Sequence, residues 1–143
     1  MIRTCASCGT QTLIDGEHLA EIGMCGTCQG LLPPASEPIE VDTAMLTQVT
    51  RVTRVPILVV FEAPWCGQCR KMAPEVRKVA KSMAGKALVL RVDTEKNPEL
   101  SARFHILGVP SLVILNQGKL VLKQGGAVDS PQMEAWLLSS AAK

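Results

Sequence analysis

The sequence predicts an α/β fold in which helices pack on a mixed sheet, and three observations carry that reading. Two short apolar runs, Ile57–Phe61 and Leu88–Val92, have the length of buried strands, and the first is rich in β-branched residues. Between them Met72, Val76, Val79, Ala80 and Met83 recur at steps of three and four, one face of a helix. Later, Asn116-Gln117-Gly118-Lys119 separates Ser111–Leu115 from Leu120–Lys123, a hairpin signal that adds an antiparallel pair.

Taken in order, Ile39-Glu40-Val41 alternates and reads as a short first strand. Asp42 or Thr43 then caps a helix carrying Met45, Leu46 and Val49. Ile57–Phe61 is the central strand. The second helix starts at or near Cys66 and runs to about Ala84, with Pro74 inside it as an expected kink. Leu88–Val92 follows as a buried strand. Asn97-Pro98 supplies a cap and a proline at the first helical position, opening a short helix to about Phe104. After the hairpin, Ser130-Pro131 opens a last helix with Met133, Trp136 and Leu137 turned inward. The predicted order over 39–143 is β-α-β-α-β-α-β-β-α.

The segment before this is different. Cys5-Ala6-Ser7-Cys8 and Cys25-Gly26-Thr27-Cys28 are two CxxC pairs at a spacing suited to a zinc site. Zinc takes four tetrahedral thiolates, and two short knuckles supply them without a large fold. The stretch between has few large apolar residues, so the metal would provide folding energy. Residues 1–32 are therefore expected to form a zinc-binding ribbon with one ion on Cys5, Cys8, Cys25 and Cys28. Two structural disulfides are the rival reading, and His18 is read as a solvated residue. Residues 33–38, with Pro33, Pro34 and Pro38, read as a linker, and 39–143 as the main domain.

The totals narrow the function. A chain of 143 residues allows one well-cored domain with a small appendage. A net charge of +2 gives no reason to expect nucleic acid or a membrane surface, and no apolar run is long enough to span a bilayer. Met1-Ile2-Arg3-Thr4-Cys5 lacks the apolar core of a signal peptide, so a cytoplasmic location is expected, and the chain is taken as a monomer. In a reducing cytosol, CxxC pairs indicate metal or redox chemistry rather than structural bridges.

Ala63-Pro64-Trp65-Cys66-Gly67-Gln68-Cys69 stands where the central strand ends and the second helix begins. The first turn of a helix has free N–H groups and the positive end of the dipole, which favour a thiolate, the nucleophilic form of cysteine. Cys69, one turn on, is placed to attack a mixed disulfide formed by Cys66. The predicted chemistry is dithiol–disulfide exchange, against the alternatives of a structural disulfide or half of a metal site.

The same stretch resembles the active site of the thioredoxin family, usually Trp-Cys-Gly-Pro-Cys. Val109-Pro110-Ser111 is similar to the family's cis-proline segment, Asn116–Lys119 to its hairpin turn, and Gly125-Gly126-Ala127 to its late glycine. The resemblance covers roughly residues 39–141. It implies a thioredoxin fold, reduction of protein disulfides, and an NADPH-dependent thioredoxin reductase that restores the dithiol. It makes Trp65 a lip of the substrate groove, where the plain alternative is a packing aromatic. It makes Pro110 cis, with Val109 presenting its backbone to a substrate strand. Gly126 would leave room for that strand; the alternative is a simple turn glycine. The N-terminal pairs resemble the zinc-binding extension of some bacterial thioredoxins.

Two departures matter. Gln68 stands where the family has proline, and residues between the cysteines tune redox poise. A disulfide oxidant or isomerase is therefore a second reading, and a redox-silent binding or holdase module that uses the ribbon for recognition is a third. Val60 stands where the family has a buried aspartate that assists the resolving thiol. Glu62, two residues on along the same strand and so on the same face, replaces the usual tryptophan and is a candidate proton acceptor. Its alternative is a solvated strand end. Arg70, Lys71, Arg91 and His105 are assigned no catalytic role.

Overall fold

The structure, a computed structural model, describes residues 37–141 and, ahead of them, the backbone of four short strands. These are β1 (Ile2–Thr4), β2 (Gln11–Leu13), β3 (Gly23–Met24) and β4 (Leu31–Leu32). β1 pairs antiparallel with β2, Ile2 opposite Leu13, and β3 with β4, Gly23 opposite Leu32. Cys5, Cys8, Cys25 and Cys28, and with them the expected zinc site, lie outside the described residues.

The rest follows the predicted order: β5 (Ile39–Glu40), α1 (Thr43–Val52), β6 (Ile57–Glu62), α2 (Gly67–Ser82), β7 (Leu88–Asp93), α3 (Pro98–Arg103), β8 (Ser111–Asn116), β9 (Lys119–Gly125) and α4 (Ser130–Ala141). The five strands form one sheet in the order β5-β7-β6-β8-β9. β7 runs parallel to both β5 and β6, while β8 is antiparallel to β6 and β9 to β8. β6 is thus the central strand.

Its composition fits that place. Side chains alternate across a strand, and both faces of β6 are covered, so every residue from Ile57 to Phe61 is buried. Ile57, Val59 and Phe61 join Leu46 and Val49 of α1 and Leu100 of α3 in one core. Leu58 and Val60 join Met72, Val76 and Val79 of α2 and Met133 and Leu137 of α4 in the other. Trp136 packs against that second core while staying partly exposed. The outer strand β9 is mostly exposed, as an edge strand with one partner should be.

The local signals resolve as follows. Asp42 caps α1, its carboxylate accepting the Met45 N–H at 2.8 Å. The β8–β9 loop is two residues, Gln117 and Gly118, both at positive φ (52° and 81°), the twist a tight hairpin requires. Asn97 departs from expectation: its side chain does not cap α3. It is buried, and its Oδ1 accepts the Thr43 N–H at 3.2 Å while its Nδ2 donates to the Asp93 carbonyl at 3.1 Å. The amide ties the start of α1 to the end of β7, a tertiary role that local sequence does not encode.

Candidate active site

The site is built where β6 ends. Phe61 is locked in the core, the chain turns through Ala63 and Pro64, and Cys66 becomes the N-cap of α2. The Cys66 amide donates to the Ala63 carbonyl at 3.1 Å, and the Arg70 guanidinium donates to the Pro64 carbonyl at 2.7 Å, fixing the turn from both sides. Cys66 and Cys69 form a disulfide with their Cα atoms 5.3 Å apart. Both cysteines are buried, so burial does not tell them apart. Position does: Cys66 Sγ accepts the Cys69 backbone N–H at 3.1 Å, one of the free donors of the helix's first turn.

Around the pair, Trp65 is exposed and its Nε1 donates to Glu95 at 2.6 Å. The Val109–Pro110 peptide bond is cis, and Val109 packs against Ala63, Cys66 and Cys69. The Val109 N–H and C=O have no hydrogen-bond partner among the described residues. The Gly126 N–H donates to the Pro110 carbonyl at 2.9 Å. Gly126 sits at φ +93°, and a Cβ there would meet nothing within 4 Å. Glycine is required there by the backbone conformation, not by crowding.

Beneath Cys69 lies a cavity of about 250 Å3 whose lining includes Val60, Glu62, Met72 and Arg91. Glu62 is partly buried and ion-paired with Arg91, Oε1 to Nη1 at 3.1 Å. Burial pushes the Glu62 carboxyl above its ordinary value; Arg91 pulls it back, while Glu40 and Asp93 add to the rise. Glu62 and Cys69 thus line one cavity, and Glu62 brings to it the carboxylate that Val60 lacks. Arg91, assigned no catalytic role from the sequence, lines the same cavity. It lies opposite Val60 in the parallel β6–β7 register, so its side chain falls on the same face as the cysteine pair's cavity. A charge interrupting the apolar run Leu88–Val92 was the available signal.

The thioredoxin family profile matches residues 37–139, with the cysteine pair and the cis proline inside the match. The chain belongs to the thioredoxin family. It is a thiol–disulfide oxidoreductase working through the Cys66–Cys69 pair. The sequence is 38% identical over 138 residues to Thioredoxin C-3 of Corynebacterium nephridii, covering 96% of this chain and 93% of that protein. That match takes in the N-terminal segment as well. It is 32% identical over 98 residues to a thioredoxin of Haemophilus influenzae, covering 68% of this chain and 92% of that one. Among solved structures, a mutant thioredoxin from Halobacterium salinarum superposes with a TM-score of 0.70 at 29% identity, over 75% of this chain and 93% of that chain. Chloroplastic thioredoxin z does so with the same TM-score at 28% identity, over 75% and 96%. Among the described residues no helix is long and apolar enough to cross a membrane, and no cluster of metal-ligating side chains is found.

Proposed function

We propose that this thioredoxin reduces protein disulfides, with Cys66 as the attacking thiol and Cys69 as the resolving one. The observation that carries the assignment is the place of Cys66 at the N-cap of α2, its sulfur facing the Cys69 N–H. A thiolate there gains the donor and the helix dipole. It attacks one substrate sulfur, the substrate S–S bond breaks, and the departing substrate thiolate takes a proton. Cys69, losing its proton to Glu62, then attacks Cys66 Sγ and releases the second substrate thiol. Two electrons and two protons pass to the substrate, and the protein is left with the Cys66–Cys69 disulfide. A dithiol donor must restore it; an NADPH-dependent thioredoxin reductase fits that need. Trp65, Val109, Pro110 and Gly126 frame the surface on which the substrate lies, with the Val109 main chain, unpaired among the described residues, available to an extended segment.

The test is insulin reduction with purified protein. Wild type should turn over with reductase and NADPH. Cys69→Ser should accumulate a mixed disulfide with substrate, and Cys66→Ser should not. Equal or reversed trapping would overturn the assignment. A reduction potential far more oxidising than that of a cytosolic reductant would favour the oxidant reading that Gln68 raises.

The N-terminal segment is proposed to hold one zinc ion as a separate ribbon, joined through 33–38 to the thioredoxin domain, in a cytoplasmic monomer. Its support is a repeated pattern. Cys5 directly follows β1 and Cys8 lies three residues before β2; Cys25 directly follows β3 and Cys28 lies three residues before β4. Four thiols in two equivalent places suit the tetrahedral preference of zinc, and the metal would supply structural stability rather than a reaction step. Elemental analysis of protein purified without added metal should find about one zinc per chain, as a closed four-ligand site requires. Cys5→Ser with Cys25→Ser should lose it while Cys66 and Cys69 still exchange.

A further inference from the structure

The end of the sheet away from the disulfide carries a cavity of about 630 Å3, against about 250 Å3 for the one beneath Cys69. Three loops converge on it. Ile57 at the start of β6 stands opposite Leu88 at the start of β7 and opposite Leu115 of β8. The Leu88 N–H donates to the Pro56 carbonyl at 3.0 Å, and the β8–β9 hairpin closes from Asn116 to Lys119. The loops running into β6 and β7 bring Arg54 and Lys86 to the cavity, and the hairpin brings Lys119. All three side chains are exposed, and none has an ion-pair or hydrogen-bond partner among the described residues. No carboxylate lines the cavity. α1 ends just before Arg54, and its dipole adds about half a negative charge, too little to offset three cations. The more buried lining is apolar: Pro56 is buried, and Val55 and Val121 are partly so.

We propose that this cavity binds a small organic polyphosphate, such as a nucleoside di- or triphosphate. Its phosphates lie on Arg54, Lys86 and Lys119, and its ring lies on Val55, Pro56 and Val121. A cleft lined by one sign of charge concentrates ions of the other sign. Guanidinium and ammonium groups are the side chains that hold phosphate, and three of them call for more than one anionic group. The volume falls among ordinary ligand pockets, about 300–1,000 Å3, so a ring fits beside the phosphates. Asn116 Nδ2 donates to the Ser140 carbonyl at 2.8 Å, while its Oδ1 has no partner among the described residues and can accept from an amino group on the ring. The site stands apart from disulfide exchange, because the six residues of β6 separate it from the redox turn by roughly 20 Å. The inference goes beyond the disulfide-reductase reading and does not rest on it.

The experiment titrates the full chain with ATP, inorganic tripolyphosphate and adenosine, at low salt, where exposed charges are least screened. Backbone amide NMR shifts at 54–56, 86–88 and 116–121 report the site and separate it from any metal at the N-terminal cysteines. ATP should move these amides and saturate, with a dissociation constant below about 1 mM. Tripolyphosphate, which lacks the ring, should bind about tenfold more weakly, and adenosine should not saturate. Lys86→Gln and Lys119→Gln should each weaken ATP about fivefold, the size of one exposed charge pair, and Lys119→Arg should keep it. Both lysines are exposed, so these variants keep the wild-type melting temperature and the rate of insulin reduction. ATP shifts that fail to saturate, or that map elsewhere, overturn the site. Tripolyphosphate as tight as ATP overturns the place given to the ring, and undiminished ATP binding in the double Lys86→Gln, Lys119→Gln variant overturns the role of the cations.

Discussion

Glu62 and Arg91 meet at 3.1 Å on adjacent parallel strands, at the edge of the cavity that Cys69 also lines. The carboxylate is therefore neither free in solvent nor sealed in the core. It faces two opposing influences, burial that favours its protonated form and a guanidinium that favours its charge.

If Glu62 receives the Cys69 proton, Glu62→Gln slows release of the mixed disulfide by ~10²-fold, the usual loss for a missing general base. The first attack by Cys66 should be unchanged. Rapid-quench trapping of the intermediate separates the two steps, and equal resolution rates in both proteins would leave water as the base. Adding Val60→Asp to Glu62→Gln should recover much of the rate.

The same residue sets a pH dependence of stability. Its folded pKa is raised, so the folded state holds the proton more tightly than the unfolded chain does. Stability is then lost as pH rises from 4.5, the ordinary value, through the higher folded value, and the loss is complete above it. Glu62→Gln does not titrate, so its stability relative to wild type should be greater at pH 7 than at pH 4. Chemical denaturation at the two pH values checks the sign.

Arg91→Gln removes the group that holds the Glu62 carboxyl down. The pH at which resolution reaches half its maximum should move upward, because Glu62 must lose its proton before it can accept one. Arg91→Lys should shift it less. An unchanged profile would mean that the pair is a surface feature without effect on exchange.

How much of this was legible in the chain depends on where each residue's partners come from. Ile57–Phe61 could be read as a strand because both faces of β6 are covered and the run is apolar throughout. Cys66 and Cys69 could be read because their chemistry needs only a strand end and a helix start, both local. Val109 and Pro110 needed the family resemblance, since nothing in the tripeptide predicts a cis bond. The roles of Arg91 and Asn97 were not legible locally, because their meaning lies in register and long-range contact. Arg91 matters through the strand beside it, and Asn97 through Thr43, 54 residues earlier.

Asn97→Ala should destabilise the domain by about 1–3 kcal/mol, the cost of leaving buried partners unsatisfied. That exceeds what an exposed loop substitution costs, because the Thr43 N–H loses the Asn97 carbonyl and the Asp93 carbonyl loses the amide donor. A urea melt measures it; a loss below about 0.5 kcal/mol, the level of an ordinary surface change, would refute the tie.

Ser101→Ala should act in the opposite direction. The Ser101 hydroxyl is buried without a partner among the described residues, in the middle of α3. Removing it relieves an unpaired polar group and puts a better helix former in its place, a gain of about 1 kcal/mol. The urea midpoint should rise with an unchanged slope.

The central position of β6 also bears on how the protein is made. The strand that holds the redox turn is hydrogen-bonded on one side to β7 and on the other to β8, with Ile57 opposite Leu115. During synthesis, Cys66 and Cys69 leave the ribosome well before Ser111–Asn116 does. Until that last segment pairs, β6 has an open edge, and the Val109 wall of the disulfide has nothing to anchor it. Nascent chains stalled before residue 111 should therefore carry thiols that alkylate like those of an unstructured peptide. The setting of the Cys66–Cys69 pair is complete only once β8 has joined β6.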